Sequence, residues 1–238
     1  MNTDAGNAIR LADYSSVLFF IGAGMSAESG VPTYRGAGGI WGQYRYQDVA
    51  CQRAFETQPE RVLDFHEIRR QAVLACAPHA GHQALARLQA AHPRLQVVTQ
   101  NIDGMLQRAG VLVDAELHGS LWRMRCTKHG IREDAATGHF HARRCPDCNA
   151  WLRPDITWFE DAVNENVFAR TAEMIASTEL FVSVGTSAVV YPAANFIPLA
   201  HRAGARMIEI NPERTEASAL FERCYALPAS EALPALFA

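Results

Sequence analysis

The fold turns on Val17-Leu18-Phe19-Phe20-Ile21-Gly22-Ala23-Gly24-Met25-Ser26-Ala27. An unbroken apolar run this short, bounded by glycine, predicts a strand buried on both faces. The G-x-G-x-x-A that follows predicts a tight strand-to-helix turn, where backbone N–H groups could approach a pyrophosphate. The same turn is also an ordinary strand–helix connection, so it does not establish a ligand by itself. A dinucleotide site usually has an acidic residue at the end of a second strand, ~20 residues on. Here that region reads Tyr34-Arg35-Gly36-Ala37-Gly38-Gly39, with no strand pattern. A dinucleotide at this turn is therefore expected to be held differently from one in an ordinary dehydrogenase.

Outward from this point the pattern repeats. Leu95–Thr99, Leu180–Val184 and Arg206–Ile210 are further short apolar runs, and helical patterns cover 81–91, 167–177 and 193–202. Buried strands alternating with helices predict an α/β fold with a doubly wound parallel sheet. Two stretches break the rhythm, 37–78 and 122–154. They read as insertions forming a smaller lobe, helical in the first and cysteine-bearing in the second. The larger lobe then takes 8–36, 79–121 and 155–238, and the whole is a single catalytic domain.

Composition bounds the function. Of 238 residues, 49% are hydrophobic and 20% charged, an ordinary globular balance. With 22 Lys and Arg against 25 Asp and Glu, the net charge of −3 argues against bulk nucleic-acid binding. No apolar run approaches the ~20 residues of a membrane span, so no membrane partner is expected. The opening MNTDAGNAIR carries no export pattern, which makes a cytoplasmic location the expectation.

Three of the six cysteines cluster. Cys126-x-x-His129 and Cys145-x-x-Cys148 are two short chelating pairs with the spacing of a zinc ribbon. Four protein ligands leave no open coordination position, so the expected Zn²⁺ is structural, one per chain. His139 and His141 are alternatives to His129 as the fourth ligand. Cys51, Cys76 and Cys224 read as small buried hydrophobes.

Candidate catalytic groups also stand out. Gln100, Asn101 and Asp103 follow directly on a buried strand, where ligands of open α/β sheets bind. Local turn chemistry is the plainer explanation for Asn101 and Asp103. His118, next to Gly119 after a strand-like segment, is a candidate base because imidazole titrates near neutral pH.

Residues 22–36 as a whole, GAGMSAESGVPTYRG, resemble the signature of the sirtuins, NAD-dependent protein lysine deacylases. Thr99-Gln100-Asn101-Ile102-Asp103-Gly104, Leu117-His118-Gly119, Gly185-Thr186-Ser187 and Ile210-Asn211 follow in the family's order. The resemblance implies a Rossmann-like sheet with a zinc-ribbon and helical lobe, and NAD consumed as a co-substrate. It places NAD along Gly22, Ala23, Gly24, Ser26, Ala27, Glu28, Thr33, Tyr34, Arg35 and Trp41. Gln100, Asn101, Ile102 and Asp103 would take the nicotinamide end, and Gly185, Thr186 and Ser187 a phosphate and ribose. Asn211, with Pro212 and Glu213, would reach the adenosine ribose, and Ala229 the adenine. His118 would be the general base, assisted by Asn101 and Asp103. The acyl oxygen of an acylated lysine would attack the ribose and displace nicotinamide, and the acyl group would end on ADP-ribose. A mono-ADP-ribosyltransferase or NAD glycohydrolase, or a non-catalytic NAD-sensing module, are the other functions this scaffold could carry.

Within the family, the segment around Ala37, His66 and Arg69 resembles class III, whose pocket pairs a Tyr with an Arg to bind acidic acyl groups. His66 stands in the tyrosine position. It is expected to donate a hydrogen bond when neutral and to attract a carboxylate when charged. Thr157, Trp158, Phe159 and Val190 would complete the substrate groove. The chain departs from the family pattern at Glu160, where glycine is usual, at Leu227, and at His129, where cysteine is usual. A monomer or weak oligomer is expected.

Overall fold

The computed structural model describes residues 8–33, 39–134 and 137–237. In chain order its elements begin with β1 (Val17–Ile21), α1 (Gly24–Ala27), α2 (Ile40–Gln43), α3 (Tyr46–Val49), α4 (Gln52–Thr57), α5 (Pro59–Leu74) and α6 (Ala80–Ala91). Then come β2 (Leu95–Thr99), α7 (Met105–Arg108), β3 (Ala115–Glu116), β4 (Gly119–Cys126), β5 (Gly130–Glu133) and β6 (Arg153–Ile156). The chain closes with α8 (Glu165–Ala176), β7 (Leu180–Val184), α9 (Phe196–Arg202), β8 (Arg206–Ile210), β9 (Arg223–Tyr225) and α10 (Ala229–Leu236).

Six strands form one sheet in the order β3-β2-β1-β7-β8-β9, every pair parallel. The order reverses between β1 and β7, and the crevice at the carboxyl ends of such a pair is where open α/β sheets take ligands. Successive side chains of β1 enter two different cores, as the apolar run requires. Val17, Phe19 and Ile21 pack with Leu85 of α6 and Leu233 of α10. Leu18 and Phe20 pack with Ile175 of α8 and Phe196 and Ile197 of α9. The four expected strands have the bounds read from the sequence, and the three expected helices lie within two residues of theirs, the last opening as a 3-10 turn. The short β3 and β9, and α10 with Pro234 inside it, carried no such pattern.

The second lobe has its own core, built from α2–α5 and a three-stranded antiparallel sheet, β5-β4-β6. That sheet begins at Gly119 and ends at Ile156, a few residues outside the expected 122–154 insertion on each side. β4 thus starts directly after His118, so the candidate base stands where the chain passes from the large lobe into the second. No helix among the described residues is long and apolar enough to cross a membrane.

Candidate active site

At the carboxyl ends of β1 and β7 the two loops interlock. Gly22 N–H donates to Val184 O at 2.9 Å and Gly24 N–H to Gly185 O at 2.7 Å. A Cβ on Gly22 would lie 2.6 Å from Gly185 O, and one on Gly24 2.7 Å from Gly185 Cα. These glycines are needed first for loop-to-loop contact, and their N–H groups are already paired.

Residues 100–103 lie against the same turn. Asn101 Nδ2 donates to Gly22 O at 3.0 Å, and Gln100 Nε2 to Thr186 Oγ1 at 3.1 Å. Asp103 is buried, and desolvation raises its carboxyl above the usual range, opposed by hydrogen bonds from Met105 N–H and Ser26. His118 Nδ1 donates to Gln100 O at 2.9 Å. That bond fixes the neutral tautomer and leaves the lone pair on Nε2. Burial lowers the His118 pKa, with the Gln100 carbonyl opposing, so the ring stays a proton acceptor near neutral pH.

A cavity of about 640 Å³ opens over these groups. It is lined by Ala23, Gly24, Thr33, Trp41, Gln100, Asn101, Ile102, Gly185, Thr186, Ser187, Asn211, Pro212 and Glu213, all expected around NAD, and by His118, the expected base. His66, Arg69, Thr157, Trp158, Phe159 and Val190, expected around the substrate, line it as well. Gly22, Ser26, Ala27, Asp103 and Ala229 are not part of the lining. Glu28 is turned away from it: its carboxylate binds the backbone N–H of Ser230 at 3.2 Å, tying α1 to α10. Tyr34, Arg35 and Ala37 lie outside the described residues. The sequence reading missed Ala50, Phe65, Leu121, Ile156, Asp161, Val163, Tyr191 and Pro192 in the lining. Phe65 could have been found beside His66, and Asp161 beside residues 158–160; the remaining residues stand in no motif.

His66 departs most from its expected role. Its Nδ1 donates to Val62 O at 2.7 Å, and its Nε2 accepts from Trp158 Nε1 at 3.2 Å. Both ring nitrogens are thus occupied inside the protein. Burial pushes its pKa down to about 4; the Val62 bond opposes this and the nearby Arg69 and Arg153 add to it. His66 therefore presents an uncharged ring to the cavity and neither donates to an acyl group nor attracts one by charge. Glu160 adopts φ +73°, so the backbone takes a path that usually favours glycine despite the side chain.

The Sir2 family model matches residues 22–192. The chain belongs to the Sir2 family. It is 38% identical over 234 residues to the NAD-dependent protein deacylase 2 of Pyrobaculum aerophilum, covering 95% of this chain and 91% of that one. It is 36% identical to the mitochondrial NAD-dependent protein deacylase sirtuin-5 of Canis lupus familiaris, covering 92% and 79%. Among solved structures, a mutant Sir2 homologue in complex with ADP-ribose superimposes with a TM-score of 0.89 at 31% identity, covering 99% and 95%. A Sir2 homologue in complex with NAD gives 0.86 at 33%, covering 95% and 89%.

This Sir2-family chain also carries a metal centre fit for zinc. The ligand atoms of Cys126, His129, Cys145 and Cys148 lie within 4.8 Å of one another. Sγ of Cys126 is 3.6 Å from Sγ of Cys148, and Nδ1 of His129 is 3.6 Å from Sγ of Cys126 and 3.4 Å from Sγ of Cys145. A tetrahedron with Zn–S about 2.3 Å and Zn–N about 2.0 Å has edges of about 3.5 to 3.8 Å, so the ligand set closes around Zn²⁺. His129 is the fourth member of the cluster. His139 instead pairs with Glu67 at 2.9 Å, and His141 stands outside the cluster.

Proposed function

We propose that this chain is an NAD-dependent protein lysine deacylase that accepts both neutral and acidic short acyl groups, selecting the latter through Arg69 alone. The carrying observation is His118: a ring fixed in one tautomer, facing a cavity at the reversal point of the sheet. Most of the residues expected around NAD and around the substrate line that one cavity together.

NAD, when bound, supplies the ribose carbon that receives the acyl oxygen as nicotinamide leaves. The chain's own contribution is orientation and proton transfer. Asn101 and Gln100 are locked to the two glycine loops, which fixes the nicotinamide end of the site. His118 Nε2 is placed to take a proton from a ribose hydroxyl, and the Gln100 carbonyl steadies the ring as it becomes charged. Trp41, stacked at 6.4 Å on Phe65 and edge-on at 5.3 Å to Phe159, forms an apolar wall that excludes water. Arg69 is buried on α5 one turn beyond His66 and lines the same cavity. A guanidinium there suits a terminal carboxylate, which it can bind through two parallel hydrogen bonds. We also place the protein in the cytoplasm, as a monomer or weak oligomer, which fractionation and sedimentation would check.

The deciding experiment incubates the purified protein with NAD and acetyl-lysine or succinyl-lysine peptides and identifies products by mass. O-acyl-ADP-ribose with free nicotinamide is the expected result. Free ADP-ribose or an ADP-ribosylated protein would replace this reading with glycohydrolase or transferase activity, and no turnover would leave a binding module.

A further inference from the structure

We propose that Trp122 is a positioning residue for the nicotinamide end of the site, clamping the 102–104 turn from beneath. This rests on the reading that residues 100–103 hold that part of NAD. Two successive residues of β4 grip two successive carbonyls of the turn. Leu121 N–H donates to Ile102 O at 2.9 Å, and the indole Nε1–H of Trp122 donates to Asp103 O at 2.7 Å. The indole lies flush on the next residue. A Cβ on Gly104, which has φ +73°, would come within 2.5 Å of Trp122 Nε1.

The indole is itself braced from the second lobe. The guanidinium of Arg70, fully buried on α5, sits 4.9 Å from the Trp122 ring centre and 4.7 Å from that of Phe140. Arg70 pairs with Asp134 and donates to Thr137 O at 2.8 Å. Asp134 N–H in turn donates to Trp122 O at 2.8 Å. The ring is therefore held on its face by a cation and along its backbone by the neighbouring strand, while its N–H points at the turn. Trp122 does not line the cavity, so its influence on the reaction runs through Asp103 and Asn101.

The test is Trp122→Phe, which keeps the ring and its stacking on Arg70 but removes the one donor. In initial-rate kinetics with an acetyl-lysine peptide, KM for NAD and the inhibition constant for nicotinamide should each rise roughly 3- to 10-fold, the range one hydrogen bond supports. KM for the peptide and the melting temperature should stay close to the parent's. Unchanged NAD and nicotinamide constants would overturn the proposal, as would an equal rise in the peptide and NAD constants, which marks general loosening. Trp122→Leu, which also removes the ring from Arg70, should show the same NAD-selective defect together with a lower melting temperature. Asn101→Ala separates the two levels of the argument. If it cripples NAD use while Trp122→Phe does nothing, only the role of Trp122 fails. If it leaves NAD use intact, the assignment of the loop fails and the proposal falls with it.

Discussion

At His118 a single carbonyl decides the chemistry. With Nδ1–H committed to Gln100, the ring offers one lone pair, and burial keeps it uncharged. His118→Ala should lower deacylation by at least ~10²-fold while NAD still binds, measured by turnover and by calorimetry. His66, equally histidine, does no such work. Its depressed pKa has a stability consequence whose sign follows from proton counting. Between the ordinary value of 6.5 and about 4, the unfolded chain binds a proton that the folded ring refuses. Stability from this group is full above that window and lost as pH falls through it. Urea melts at about pH 7, 6 and 5 should show the decline, and His66→Gln should remove part of its slope. His82, pushed down to about 3 chiefly by burial and then by the charge of His79, leaves a residual slope of the same sign. The ratio of desuccinylation to deacetylation, by contrast, should not follow His66 across this range.

At the scale of elements, we assign selectivity to α5 and stability to the zinc knuckles. Arg69→Met should lower kcat/KM on a succinyl-lysine peptide by about tenfold or more, with deacetylation mostly intact, since charge-assisted bonds to a carboxylate are worth about 1.5–3 kcal/mol. An equal loss on both substrates would make Arg69 structural. Cys145→Ser should reduce zinc below one per chain and lower the melting temperature, because metal binding is folding free energy in such modules. The elements that announced themselves in the sequence were those with a period to read. β1 is apolar throughout and β2, β7 and β8 are largely so because both faces are covered, and the chelating pairs are visible from spacing alone. β3 and β9 are too short for any period, and Pro234 argues against a helix that tertiary packing nonetheless holds. His66 was legible as a pocket residue but not in its role. Its partner Trp158 is 92 positions away, and nothing local shows that a ring nitrogen is occupied.

Across the whole molecule, the two insertions that make up the second lobe are joined to each other by charges at two levels. Arg143 binds Asp64 at 2.7 Å and Glu67 at 2.8 Å, and Glu67 also accepts from Phe140 N–H at 3.0 Å. Its carboxyl is held below the usual range by hydrogen bonds from Arg143, His139 and Phe140, against the desolvation that opposes them. Deeper in, Arg70 and Asp134 form a buried pair, and removing one partner of such a pair typically costs about 3–5 kcal/mol because the other charge is stranded. Asp134→Ala should therefore destabilise the protein far more than Asp64→Ala, whose carboxylate is 62% exposed, as thermal melts would record.

The interlocked glycine loops give the mouth of the cavity an unusual place in the hierarchy of local opening. Gly22 N–H reaches Val184 O, Gly24 N–H reaches Gly185 O at 2.7 Å, Gly185 N–H reaches Ile210 O and Gln100 N–H reaches Ile21 O. The sheet's ladder of bonds thus runs past the ends of its strands and through the turns meant to receive NAD. Loops ordinarily exchange their amide hydrogens through cheap local fluctuations, whereas ladder positions exchange only when the fold opens as a unit. In deuterium exchange on the NAD-free protein, the amides of Gly24, Gly185 and Gln100 should be as slow as those of β1 itself. Fast exchange at these three would mean that the turns are assembled by the nucleotide, not waiting for it.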